Sequence, residues 1–200
     1  MMLTHVFFDI GGVLGTNGWD RGQRAGTAAR FALGPEFETL HQRTVADWES
    51  GLITWDAYLD ITVFNAPRPF SREELRAWVL ALSAPYPESI ALVERLAAQG
   101  SRRLFTLNNE PEELNVHRIE RFGLRPYFSG FLSSCWLGLR KPSEKIYQRA
   151  LAIAQADPAA SLFIDDREEN LAPARALGMR TLLFEGAPRL ESALRSERLL

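Results

Sequence analysis

The chain has little of several things that would open other functions. It holds a single cysteine, Cys135, which excludes an intrachain disulfide framework and a multi-cysteine zinc site. Cys135 sits in an apolar run, the setting of a buried structural thiol rather than a nucleophile. The three histidines, His5, His41 and His117, form no recognisable ligand set. Net charge is −2, so there is no broad basic field for nucleic acid or a membrane surface. The longer apolar stretches are broken by glycines or charges and are too short to span a bilayer. The opening Met-Met-Leu-Thr-His lacks the basic region of a signal peptide, so the expectation is a cytoplasmic protein. There is no internal repeat or low-complexity tract. Lysine is scarce too. Of 23 basic residues only Lys141 and Lys145 are lysines, so a lysine stands out here.

What is present is a globular composition, with 46% hydrophobic and 24% charged residues in 200. That length suits one domain, or one with a sizeable insert. His5-Val-Phe-Phe-Asp-Ile-Gly-Gly-Val-Leu14 organises the rest. Val6, Phe7 and Phe8 are β-formers in an unbroken run, the pattern of a strand buried on both faces. Asp9 follows at its end, where open α/β sheets bind ligands. Gly11 and Gly12 allow a sharp turn and close approach of the backbone to a ligand.

From Gly15 to Ala84 the chain reads as helices without a convincing strand. They run over Asp20–Leu33, Glu36–Ser50, Thr54 to about Asn65, and from Ser71-Arg-Glu-Glu74, a capping box, to Leu82. Residues 15–84 are thus expected to form a small helical unit, with Trp48, Trp55, Tyr58 and Trp78 as its own core. Trp19 and Arg21, just beyond the first turn, are open to either a ligand-facing or a structural part. From Pro85 helix and strand alternate, the mark of a parallel sheet. Strands are expected at Arg103–Leu107, within Tyr127–Ser134, at Leu162–Ile164 and at Arg180–Phe184. Helices are expected at Pro87–Gln99, Pro111–Phe122, Ser143–Ala154 and Arg167–Leu177. The expected fold is α/β: a Rossmann-like parallel sheet with helices on both faces, formed by residues 1–14 and 85–200, with the helical unit inserted after the first strand.

Three apolar strands end in polar groups: Asp9, Asn108-Asn109 and Asp165-Asp166. Gly138-Leu-Arg-Lys141-Pro142 lies on a fourth connection. Right-handed crossovers bring these ends to one edge. Three carboxylates together repel one another and need a cation, and hard oxygens point to Mg²⁺. Lys141 supplies a compact charge beside them. Asparagine amides can donate to phosphate oxygens. Alone, each piece has a plain reading: Asp165-Asp166 as a helix cap, Asn108-Asn109 as a turn, Lys141-Pro142 as a loop. In this order, each after an apolar run, they point to nucleophilic phosphoryl transfer.

These residues resemble the haloacid dehalogenase-like hydrolases over essentially the whole chain. Phe7-Phe8-Asp9-Ile-Gly-Gly-Val-Leu14 is similar to the family's first motif, Leu107-Asn108-Asn109 to its second, Lys141-Pro142 to its third, and Phe163-Ile-Asp165-Asp166-Arg-Glu-Glu-Asn170 to its fourth. The insert between the first two motifs resembles a small α-helical cap. Leu139–Tyr147 resembles the subgroup of glucose-1-phosphate phosphatases and the amino-terminal phosphatase domain of soluble epoxide hydrolases. The resemblance implies that Asp9 attacks phosphorus and forms an aspartyl phosphate. It implies Mg²⁺ on Asp9, the backbone oxygen of Gly11 and an acid of the last motif, with Asp166 the direct ligand and Asp165 supporting through water or Lys141. Gly11, Gly12, Asn108, Asn109 and Lys141 would hold the phosphate of a small-molecule substrate, a sugar phosphate being favoured.

Two positions depart from the family pattern. Most of its phosphatases carry an aspartate two residues after the nucleophile, which protonates the leaving group and later activates water. Here that residue is Gly11. The second motif has Asn108 where Thr or Ser is usual. A replacement acid is sought in Glu110 or Asp20. Two alternatives follow from Gly11: a phosphate-ligand binding or regulatory protein with weakened catalysis, and a 2-haloacid dehalogenase, which needs no Mg²⁺. Oligomeric state is not legible in the sequence.

Overall fold

The computed structural model describes residues 2–200. Strand β1, His5–Phe8, is followed by four helices: α1 (Arg21–Arg30), α2 (Glu36–Glu49), α3 (Trp55–Thr62) and α4 (Arg72–Ala81). Their starts are fixed by side chains that satisfy free backbone N–H groups. Asp20 accepts from Gln23 N at 2.7 Å and Thr54 from Ala57 N at 3.2 Å. Ser71 and Glu74 bond reciprocally, at 3.1 and 2.8 Å, as the capping box predicts.

Alternation then begins with α5 (Pro87–Ala98), β2 (Arg103–Asn108), α6 (Glu112–Arg121) and β3 (Gly130–Ser133). It continues through α7 (Ser134–Leu137), α8 (Glu144–Ala154), a 3-10 turn at Pro158–Ala160, β4 (Ser161–Asp165), α9 (Glu168–Ala176), β5 (Arg180–Leu183) and α10 (Ala187–Ser196). The sequence does not announce α7, the 3-10 turn or α10. The first two are single turns, too short for periodicity to register. Helix α10 buries only Leu190 and Leu194 among polar residues.

The five strands are parallel in the order β3-β2-β1-β4-β5. Central β1 pairs with β2 and β4, with Phe8 opposite Thr106 on one side and Ile164 on the other. Side chains alternate across the sheet, so each face has its own core. Val6, Phe8, Leu104 and Leu162 pack with residues of α5, α6 and α10. Phe7, Phe105, Leu107 and Phe163 pack with residues of α8 and α9. A third cluster belongs mainly to α1–α4 and their loops, with Trp48, Trp55, Tyr58 and Trp19 buried and Trp78 half-buried against them. Leu114 of α6 joins it from below. After β3 the chain crosses β1 to reach β4, so the order reverses between β1 and β4. A crevice forms at such a reversal, outside the carboxyl ends of the strands.

Candidate active site

Parallel pairing carries Asp9, Asn108 and Asp165 to the same edge, because β1, β2 and β4 all end there. Asp9 is 8% exposed. Its Oδ1 accepts from Ile10 N at 2.8 Å, and its Oδ2 lies 2.9 Å from Lys141 Nζ. Lys141 Nζ also donates to Asp165 Oδ2 at 2.6 Å. Asp165 Oδ1 accepts from Arg167 N and Asn170 Nδ2, both at 2.9 Å. Both Asp165 oxygens are thus engaged within the protein, and the carboxylate fixes Lys141 and the start of α9. Burial pushes Asp9 up to about 8; Lys141 pulls it back and Asp165 adds to the rise. Lys141 is raised: burial opposes its charge, but Asp9 and Asp165 outweigh burial.

Asp166 is different. Its Oδ1 is buried without a hydrogen-bond partner. Burial and the adjacent Asp165 raise it. One oxygen each from Asp9, Asp165 and Asp166 lies within 4.8 Å of the others. An unpartnered buried carboxylate beside two more acids fits a hard divalent cation such as Mg²⁺. Gly12 makes room for this arrangement. Its φ is +75°, and a Cβ there would lie 2.2 Å from Asp166 Oδ2. Only glycine meets both demands.

The asparagines differ from expectation. Asn108 does not turn its amide to the crevice: Nδ2 donates to Asn115 Oδ1 at 3.0 Å, and Oδ1 accepts from Ser133 Oγ at 2.9 Å. It ties β2 to α6 and β3. Asn109 reaches the crevice, but its side chain clamps Lys141: Nδ2 donates to the Lys141 carbonyl at 2.9 Å, and Oδ1 accepts from Lys141 N at 2.8 Å. Ligand-facing amides were the expectation at both positions; the side-chain bonds instead build the strand ends and place the lysine. Asn115 and Ser133 carried no signal in the sequence, since only folding brings them beside Asn108. Asn170 ends the stretch Phe163–Asn170 that resembles the fourth motif.

Above these groups is a cavity of about 670 Å³. Asp9, Gly11, Asn109 and Lys141 line its floor, and one face of α2 (Glu38, His41, Gln42, Val45, Glu49) lines the opposite wall. The far end of α2 is held down. The Glu49 carbonyl accepts from Ser134 Oγ at 2.6 Å, and its carboxylate pairs with Arg140 at 2.6 Å. Trp19 is both core and wall: it is buried, it borders the cavity, and its Nε1 donates to Tyr58 Oη at 2.8 Å. Tyr58 Oη lies 2.9 Å from His41 Nδ1. Indole N–H can only donate, so the Tyr58 oxygen accepts from Trp19, and Trp19, Tyr58 and His41 form one buried chain of polar contacts. His41, given no part by the sequence, is therefore a wall residue held by Tyr58. Arg21 is exposed at the cavity rim. Cys135 is half-buried, and burial pushes its thiol up to about 12, which is no nucleophile.

Fold and site together define an α/β protein with three carboxylates and one lysine gathered at the carboxyl edge of a parallel sheet. The chain belongs to the haloacid dehalogenase-like hydrolases, whose family model matches residues 3–178. It is 28% identical over 212 aligned residues to bifunctional epoxide hydrolase 2 of Sus scrofa, covering 92% of this chain and 36% of that protein. It spans 22% of the corresponding Rattus norvegicus protein. The chain thus spans about a third or less of these curated relatives. A phosphatase of Mycobacterium tuberculosis is 26% identical, covering 92% of this chain and 88% of that one. A family enzyme from Bacteroides thetaiotaomicron, solved with magnesium and inorganic phosphate, shares the fold: TM-score 0.77 and 21% identity, over 90% of this chain and 93% of that one. Among the described residues no helix is long and apolar enough to cross a membrane.

Proposed function

We propose that the protein is a Mg²⁺-dependent phosphatase of small phosphorylated metabolites, sugar phosphates being favoured, acting through an aspartyl phosphate on Asp9. The observation that carries this reading is the unpartnered Asp166 Oδ1 beside Asp9 and Asp165, with one lysine bridging the latter two. The M. tuberculosis relative, named a phosphatase, and the magnesium and phosphate in the B. thetaiotaomicron structure support it. In this reading Asp9, Asp166 and the Gly11 carbonyl would hold Mg²⁺. The ion would supply charge neutralisation beside the phosphoryl group. Asp165 holds Lys141 rather than the cation, and Asn109 fixes the lysine backbone.

Asp9 attacks phosphorus, its carboxylate aimed by the Ile10 N–H and the lysine. Lys141, protonated between two acids, offsets charge on the phosphoryl oxygens as the ester bond breaks. Water then hydrolyses the acyl phosphate and frees Asp9. Residues 15–84 serve as the cap over the site, and the α2 wall sets which leaving groups fit. The dehalogenase alternative leaves Asp166 Oδ1 without a purpose, since that reaction uses no metal.

The test is phosphate release from an aryl phosphate and a panel of metabolite phosphates, with and without Mg²⁺. Turnover should need Mg²⁺ and vanish in Asp9→Asn. Release that persists in EDTA, or in Asp9→Asn, would refute the mechanism. Tight Mg²⁺-dependent phosphate binding without any turnover would favour the binding-protein alternative.

A further inference from the structure

Gly11 leaves a gap where a proton donor is needed, and the gap is not forced by the backbone. Gly11 has no positive φ. A Cβ built on it meets Asn17 Oδ1 at 3.1 Å and Arg118 Nη1 at 3.6 Å, so a side chain there would lie against Asn17 with the Arg118 guanidinium beside it. Arg118 is fully buried. Its Nη1 donates to both Glu110 oxygens, at 3.1 and 3.0 Å, and its Nη2 bonds to the Thr16 carbonyl. Arg118 thus bridges the place of the absent acid and a carboxylate one residue beyond Asn109.

We propose that Glu110 is the acid and base of the reaction in place of a side chain at Gly11, with Arg118 as its positioning residue. This rests on the phosphatase reading above. Glu110 is 3% exposed yet borders the cavity. Its backbone N–H donates to Ser134 Oγ at 2.9 Å, and its neighbour Asn109 clamps Lys141, so carboxylate and lysine share one frame. Gly18 keeps the space open, since a Cβ there would lie 2.0 Å from Glu110 Oε1. Apart from Asp9 and the exposed Glu169, the cavity's other acids are held elsewhere. Asp20 is the N-cap of α1, Glu38 pairs with Arg24 and Glu49 with Arg140. A buried ion pair adds little to stability over an apolar pair of the same shape, so its presence here asks for a use. Burial raises Glu110 towards the protonated form; Arg118 draws it back, Glu49 adds to the rise and Lys141 opposes it.

In the first half-reaction the Asp9–phosphorus bond forms as the ester P–O bond breaks. The bonding pair stays on the leaving oxygen, which takes the Glu110 proton. In the second, a water oxygen bonds to phosphorus and its proton passes to the Glu110 carboxylate. The Asp9–phosphorus bond breaks, and inorganic phosphate and both acids are restored. Arg118 stabilises the carboxylate that exists between the two steps.

The deciding experiment compares leaving groups with the full chain and Mg²⁺. Proton donation matters for an alkyl phosphate and little for a nitrophenyl phosphate. Glu110→Gln should lower alkyl phosphate kcat by about 10²–10⁴-fold. It should change nitrophenyl turnover far less in the phosphorylation step. Gly11→Asp added to Glu110→Gln should restore much of the alkyl activity, because the new carboxyl would reach the same region. An equal loss in the phosphorylation step on both substrates, read from the burst of released alcohol or nitrophenol, with no rescue, or no loss on either, would overturn the inference. If Glu110→Gln fails to fold, Glu110→Asp keeps the charge on Arg118 and draws the carboxyl back. Its loss in the phosphorylation step should again concentrate on alkyl phosphates, and a uniform loss in that step would overturn the inference. A wild type that hydrolyses no phosphate ester would refute the phosphatase reading itself. An active wild type with an indifferent Glu110→Gln would refute only this inference.

Discussion

At residue scale the site depends on a few positions that tolerate one side chain. Gly12 is the sharpest. Gly12→Ala should cost about 1–2 kcal/mol of stability from its left-handed backbone. It should also displace Asp166, whose Oδ2 lies where the methyl would go. Mg²⁺ titration by calorimetry should show weakened binding, and unchanged affinity would separate Asp166 from the cation. His41 offers a second test. Burial pushes it down to about 4 from 6.5, helped by Arg24 and opposed by Glu38, with Arg140 adding a smaller push downward. Below pH 6.5 the unfolded histidine takes a proton that the folded one refuses, so stability is lost as pH falls from about 6.5 towards 4. The slope should be at most about 1.4 kcal/mol per pH unit. Urea melts at pH 7 and pH 5 should show a smaller difference in His41→Phe than in wild type; equal differences would rule His41 out as the source. The sequence made Asp9, Lys141, Asp165 and Asp166 legible because each ends or follows an apolar run. It did not reveal what Asn108 and Asn109 do, since their bonding partners Asn115, Ser133 and Lys141 arrive only through folding.

At the scale of elements, α2 links the cavity to the sheet. Its polar stripe faces the cavity, and its carboxyl end rests on α7 through Glu49 and Ser134. Gly51 follows with φ +69°, and a Cβ on it would lie 2.3 Å from the Cys135 carbonyl. Gly51→Ala should lift this end of α2. We expect KM to rise more than kcat falls, with faster amide exchange across Glu36–Glu49. An unchanged KM with normal exchange would show that the α2–α7 contact does not shape the wall. The helices and strands with long or strongly apolar patterns were legible to within a few residues. Helix α10 was not, although Leu190 and Leu194 stand four residues apart on its buried side.

At the scale of the molecule, three cores divide the work. The sheet is buried on both faces, while α1–α4 pack mainly on one another. Native-state hydrogen exchange should therefore find α1–α4 opening at lower free energy than β1 and β4. Identical values would mean that the insert and sheet unfold as one unit. The parallel sheet was legible because doubly buried strands read as unbroken apolar runs, whereas the order of its strands came only with the structure. The same order has a consequence for how the chain is made. The central strand is synthesised first, but its neighbours begin at Arg103 and Ser161. At about 5–20 residues per second, Val6, Phe7 and Phe8 wait roughly 5–20 s on the ribosome before their first pairing partner is made. Meanwhile α1–α4 can assemble their aromatic core. The nascent chain thus carries an exposed apolar strand beside a nearly finished helical unit, which makes this interval the one in which a chaperone would have the most to cover.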